Sequence, residues 1–176
     1  MSRHAAKTPP PPLNQERLRG LALHYVGKYA TTRAKLANYL HRKINERGWD
    51  DASGPEIEAL IERLCELGYI NDAQFAEARS RALVRRGFGK RRLDDDLRSA
   101  GVDVQDAQLA RENAEISGFE SAENFARRKR IGPFANEPAT LEKRQKQLQA
   151  FLRAGHSFDF AKRFVHAEPE EQIDPS

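Results

Sequence analysis

Several things are scarce in this sequence, and each scarcity removes a class. Cys65 is the single cysteine among 176 residues, so no internal disulfide can form, which fits a reducing cytoplasm. No run approaches the ~20 consecutive apolar residues of a membrane span, and the mean hydropathy is −0.78. The opening residues, Met1 to Lys7, lead into four prolines without an apolar secretory core. A cytoplasmic chain with no membrane partner is therefore expected. No segment alternates β-branched and polar residues, so no sheet is expected.

The ingredients of catalysis are equally thin. His4, His24, His41, His156 and His166 have no metal-ligand spacing with one another or with Cys65. Asp94, Asp95 and Asp96 invite a metal reading, but consecutive helical residues diverge by roughly 100°. They read instead as acids at a helix start, favoured by the macrodipole. Gly87-Phe88-Gly89-Lys90 lacks the preceding strand and the glycine spacing of a phosphate loop. No Ser-His-Asp or Cys-His arrangement is present. The expectation is a protein that is not an enzyme and uses no cofactor and no metal.

Charge is what the chain has in abundance. The net +4 conceals blocks of alternating sign: +8 over residues 1–49, −7 over 50–77, +7 over 78–92, −7 over 93–123, +7 over 124–163 and −4 over 164–176. Segregation of this kind, with a pI near 9.3, points to a surface that meets a polyanion or an acidic partner. The alternative for any one block is a solvated helix face.

Between a Pro-rich arm and an acidic tail the periodicity is helical throughout. Leu18, Leu21, Ala22, Tyr25 and Tyr29 form a first apolar stripe. Thr31 is placed to cap a second helix, with Leu36, Leu40 and Ile44, that stops at Gly48. Ser53 and Glu56 have capping-box spacing before Ile57, Ile61 and Leu64. Six further helices follow, broken at Gly87, Gly101, Ser117-Gly118, Gly132-Pro133 and Gly155. Gly48, Gly101 and Gly155 recur at separations of 53 and 54 residues, each with an apolar residue four before it (Ile44, Leu97, Phe151). A period of one helix triplet is the signature of a stacked array. The expected fold is all-α, an elongated array of three tandem three-helix repeats. The expected organisation is a flexible arm over 1–14, repeats over 15–70, 71–118 and 119–166, and a frayed tail over 167–176. Leu40, Ile61, Leu64, Leu97, Phe151 and Phe164 are the expected core, with Cys65 beside it.

Three segments carry a resemblance. Glu66-Leu67-Gly68-Tyr69-Ile70-Asn71-Asp72-Ala73-Gln74-Phe75-Ala76 resembles the boundary between the first and second repeats of the RecX family. Gly87-Phe88-Gly89-Lys90-Arg91-Arg92-Leu93, with Leu97 and Ala100-Gly101-Val102, resembles its second repeat. Arg128-Lys129-Arg130-Ile131-Gly132-Pro133-Phe134, with Phe151 to Phe158, resembles the third. The resemblance covers about residues 15–166, departing from the family at the arm, at Asp50 to Pro55 and at Ala135 to Thr140. It implies a non-enzymatic modulator of RecA, the recombinase that polymerises on single-stranded DNA, lying in the groove of the RecA–DNA filament and limiting its extension. A monomer is expected.

Three basic clusters are the candidate contacts with RecA or DNA. The first is Arg79, Arg81, Arg85, Arg86, Lys90, Arg91 and Arg92, an acid-free run. Arg127, Arg128, Lys129 and Arg130 form the second, and Lys143, Arg144 and Lys146 the third. The planar fork of arginine suits phosphate or carboxylate pairing. The alternative function is a basic helical protein that binds single-stranded DNA directly, without RecA. Against it stands the lack of a stacking platform, because the aromatics fall mostly on apolar stripes.

Overall fold

A computed structural model describes residues 10–175. Among the described residues there are nine α-helices and no strand: α1 (Gln15–Lys28), α2 (Arg33–Arg47), α3 (Ile57–Glu66), α4 (Asp72–Arg85), α5 (Lys90–Ser99), α6 (Val104–Ile116), α7 (Gly118–Lys129), α8 (Leu141–Arg153) and α9 (Phe158–His166), with a 3₁₀ turn at Gly132–Phe134. The chain divides into two compact units, with the division between Asn71 and Asp72.

In the first unit α1, α2 and α3 enclose a core of Leu18, Leu36, Leu40, Ile57, Ile61 and Leu64, with Cys65 half-buried against it. The cap of α2 is Thr32 rather than Thr31. The first helical bond runs from Leu36 N–H to the Thr32 carbonyl at 3.0 Å, and Thr32 Oγ1 accepts from Lys35 N–H at 3.2 Å. Thr31 is buried beside it. The expected capping box at Ser53 does not form, because Pro55 disfavours helical backbone at the residue before it and α3 begins only at Ile57. Ser53 instead accepts the Trp49 indole N–H on its carbonyl at 2.7 Å. The Pro-rich segment also departs from the flexible-arm expectation. Residues 1–9 lie outside the described residues, but Leu13 is fully buried. Its N–H donates to Gly48 O at 3.0 Å, its carbonyl accepts from Asp50 N–H at 2.8 Å, and the Arg47 guanidinium donates to Pro11 O at 2.7 Å.

The second unit holds two cores. Under α4, α5 and α6 lie Ala76, Leu83, Leu93, Leu97, Ala107, Ala110 and Ala114. The alanines let the helices approach closely enough for Ser80 Oγ on α4 to donate to Ala110 O on α6 at 3.1 Å. Under α7, α8 and α9 the filling is aromatic: Phe125 and Phe151 have centroids 4.6 Å apart, and Phe151 and Phe164 stack at 5.9 Å. All six residues expected in the core are buried. The break at Ser117-Gly118 is narrower than expected, since α7 starts at Gly118 itself. Asp94 to Asp96 fall in the middle of α5 rather than at its start. The tail is docked rather than frayed as far as Pro175: Glu168 meets Arg144 at 2.8 Å, Glu170 N–H donates to Pro133 O at 3.0 Å, and Ile173 packs on the aromatic core.

Gly48, Gly101 and Gly155 terminate α2, α5 and α8 at φ of 80°, 67° and 92°, a region open to glycine at little cost. Gly155 has a second duty. The segment Gly87-Phe88-Gly89 runs against it so closely that a Cβ on Gly89 would lie 2.3 Å from Gly155 O. Gly89 N–H donates to Ala154 O at 2.9 Å and Arg91 N–H to Gly155 O at 3.2 Å. Ser121 Oγ donates to Phe88 O at 2.7 Å. These bonds join the alanine core to the aromatic core, and Phe88 packs against both.

Candidate polyanion-binding surface

The junction between the two cores of the second unit decides where the basic side chains go. Phe88, half-buried, is held by its neighbouring glycines with three guanidiniums around its ring: Arg86 at 5.1 Å, Arg128 at 5.5 Å and Arg92 at 5.9 Å from the centroid. These are cation–π distances. Arg128 reaches from the end of α7 to donate to the Arg86 carbonyl. Thus two sequence clusters, separated by an acidic block, converge on one ring.

The other members of the first cluster are sorted by acids, Asp96 and Glu115 returning from that block and Glu77 preceding the cluster. Arg79 Nε donates to Asp96 Oδ2 at 2.8 Å, and Arg92 shares the same carboxylate at 3.6 Å. Lys90 pairs with Glu115, and Arg81 with Glu77 one turn back at 3.3 Å. Arg85, Arg86 and Arg91 are exposed, and among the described residues no carboxylate pairs with them. The three consecutive aspartates do diverge: Asp94 takes Arg111 at 2.7 Å, Asp95 takes Arg98 at 3.0 Å and Asp96 takes Arg79 and Arg92.

In the second cluster Arg127 pairs with Glu123 at 3.2 Å and lies over Phe134 at 4.3 Å. Lys129 and Arg130 are exposed, and Arg130 ends α7 in the left-handed region at φ 53°. The third cluster is not brought to Phe88. Lys143, Arg144 and Lys146 occupy the first turns of α8, whose far end forms the junction, about 16 Å along the axis at 1.5 Å per residue. Arg144 pairs with Glu168 and Lys146 with Glu142, while Lys143 is exposed.

Beneath the surface, His156 is almost fully buried with Nε2 3.1 Å from the Gly87 carbonyl. Its ring lies against Phe125 and Phe151 at 5.5 and 5.3 Å. Burial pushes its pKa down to about 4, against the opposing pull of the Gly87 hydrogen bond. A neutral imidazole thus props the glycine segment that carries Phe88.

Sequence reasoning missed the aromatic partners. Phe88 and Phe134 entered only as parts of the segments that carry the family resemblance, yet each supports arginine. In the first unit the acid-free run of residues 17–45 holds seven bases interleaved with Tyr25, Tyr29 and Tyr39. That interleaving was the available signal. The tyrosines gather there: Tyr25 and Tyr39 pack along the edge of the core, as their apolar stripes predict, and stack on one another.

Residues 71–110 match the family described as RecX, second three-helix domain. The chain is 34% identical over 163 residues to regulatory protein RecX of Myxococcus xanthus, covering 86% of each chain. It is likewise 34% identical over 164 residues to regulatory protein RecX of Mycobacterium sp. strain KMS, covering 89% of this chain and 84% of that one. The crystal structure of RecX from Lactobacillus salivarius superposes with a TM-score of 0.61 at 22% identity, covering 85% of this chain and 93% of that one, a likeness of fold. Resemblance at this level over most of both chains places the protein in the RecX family.

Proposed function

We propose that the chain is a non-enzymatic, monomeric, cytoplasmic regulator that binds the RecA–single-stranded DNA filament and limits its extension. The observation that carries this reading is the guanidinium cluster around Phe88. Arg86 and Arg128 converge with Arg92 on one ring, and no carboxylate of the described chain pairs with the first two. Like charges held together in this way raise the free energy of the isolated protein and are relieved by an anion, whether a phosphate or an acidic protein surface. Family membership supports the regulatory role, and occupation of the filament surface is sufficient to oppose growth without bond chemistry.

The test is binding to RecA-coated and to bare single-stranded DNA at one salt concentration. Tighter binding to the coated strand is expected, together with slower RecA polymerisation. Reversing Arg85, Arg86 and Arg91 to Glu should weaken filament binding by at least about tenfold, the effect of losing a few charge-assisted contacts, with helical circular dichroism unchanged. Undiminished inhibition by the triple variant would remove this surface from the interface. Equal affinity for bare and coated strands would replace the filament by the nucleic acid alone.

A further inference from the structure

The first unit contains an aromatic arrangement for which the reading above has no use. Tyr25 on α1 stacks on Tyr39 on α2, with centroids 4.3 Å apart and planes 24° from parallel. Tyr29, one turn along from Tyr25 at the C-terminal end of α1, lies 5.2 Å from it at 53°. Cations cover the margins: Lys28 is 5.4 Å from the Tyr29 centroid, and Arg42 and Lys43 are 5.7 and 6.0 Å from that of Tyr39.

Packing explains only part of this. Tyr25 and Tyr39 are half-buried along the edge of the core, whereas Tyr29 keeps 49% of its surface in solvent. Of the seven bases in the acid-free run 17–45, Lys28, Arg42 and Lys43 lie against these rings. Glu46 is the carboxylate that reaches this cluster, meeting Arg42 at 3.6 Å and Lys43 at 2.5 Å. Among the described residues none pairs with Lys28.

We infer that Tyr25, Tyr29 and Tyr39 form a stacking site for unpaired bases of a single-stranded nucleic acid, with Lys28, Arg42 and Lys43 taking the flanking phosphates. Rings and cations interleaved on one surface match a strand in which every base has a π-face and every linkage a charge. An acidic peptide would use the cations and leave the rings idle. The inference is independent of the Phe88 cluster, which lies in the other unit and engages its ligand by charge.

The test uses the full chain with two labelled strands of equal length, an oligothymidylate and its abasic counterpart, read by fluorescence anisotropy. Tyr29→Ala should weaken oligothymidylate binding roughly five- to hundredfold, the worth of one stacked base, and leave the abasic strand unaffected. Tyr29→Phe, which keeps the ring, should bind as the unaltered chain does. Unchanged binding of Tyr29→Ala to oligothymidylate, or the same loss on both strands, overturns the site. Photocrosslinking of a bromodeoxyuridine strand to the unaltered protein tests it without substitution. Adducts on the three tyrosines are expected, and adducts confined to the second unit overturn it. RecA binding is measured separately, so failure here and failure of the filament reading are distinct results.

Discussion

Residues 17–45 in the first unit and 78–92 in the second each carry seven bases and no acid, yet the fold surrounds them differently. In the second unit, acids from the next block come back onto the bases: Asp96 takes Arg79 and Arg92, and Glu115 takes Lys90. What remains is a compact set of guanidiniums around one phenylalanine, held by glycines that pack backbone against backbone. In the first unit, Glu62 from α3 reaches Arg33 at 2.6 Å and Glu46 takes Arg42 and Lys43, while Lys28, Arg42 and Lys43 lie against tyrosine rings. Equal charge in sequence therefore leaves a focused cationic site in one unit and an aromatic-cationic one in the other. Where the acids stand in the neighbouring helix decides which charges stay available.

The comparison can be broken hardest through the core beneath the second site. Phe151→Ala should destabilise the protein by about 3–5 kcal/mol, through lost burial and a cavity among Phe125, Phe164 and His156. Urea unfolding followed by circular dichroism measures it, and a change inside about 0.5 kcal/mol, typical of surface positions, would contradict the packing described. The Phe88 cluster should lose its polyanion affinity in the same variant.

His156 gives the second unit a pH dependence of its own. Its folded pKa of about 4 lies below the ordinary value of 6.5, so the unfolded chain binds more protons across that interval. Stability is fully present above pH 6.5 and falls as the pH drops toward 4, by about 3 kcal/mol in total at 1.36 kcal/mol per unit. Urea midpoints at successive pH values should show this slope in the unaltered chain and lack its histidine component in His156→Gln. Parallel profiles for the two proteins would refute it.

Two glycines sharpen the contrast at smaller scale. Gly89→Ala drives a Cβ into the Gly155 carbonyl and should cost about 1–3 kcal/mol as an overpacked contact, with weaker polyanion binding as Phe88 shifts. Gly27→Ala meets nothing within 4 Å. It lies inside α1, where alanine should stabilise by about 0.5–1 kcal/mol. Thermal melts of the two variants should move in opposite directions. The smallest effect is that of Asp96→Asn, which releases Arg79 and Arg92. It should lower stability by about 1 kcal/mol or less. It should also steepen the salt dependence of binding to single strands by about 0.7 for each additional phosphate engaged.

Much of the fold was legible because it rests on local rules. Apolar spacing and chain breakers together located the nine helices of the described residues, and Gly48, Gly101 and Gly155 marked three ends through the backbone freedom that only glycine has cheaply. Errors arose where a local signal had competitors. Thr31 and Thr32 are both able to cap, and the register of Leu36 and Leu40 selects the second. Ser53 lost its capping role to Pro55 and to the Trp49 indole. The Pro-rich and acidic ends read as loose by composition, but Leu13 and Ile173 each find an apolar core to enter.

The candidate site was legible only as a list of bases. Residue types and spacing by themselves determined an all-helical chain, its alternating charge and the acid-free runs, since all three follow from chemistry within a few residues. The tertiary structure alone decided that Arg86, Arg92 and Arg128 share one ring, that Arg79, Lys90 and Arg144 are spent on internal pairs, and that Tyr25, Tyr29 and Tyr39 meet. Those outcomes depend on which helix faces which, and charge–charge and ring–cation energies fall off within a few ångströms of contact. Partners separated by tens of residues leave no trace in local sequence until the backbone brings them together.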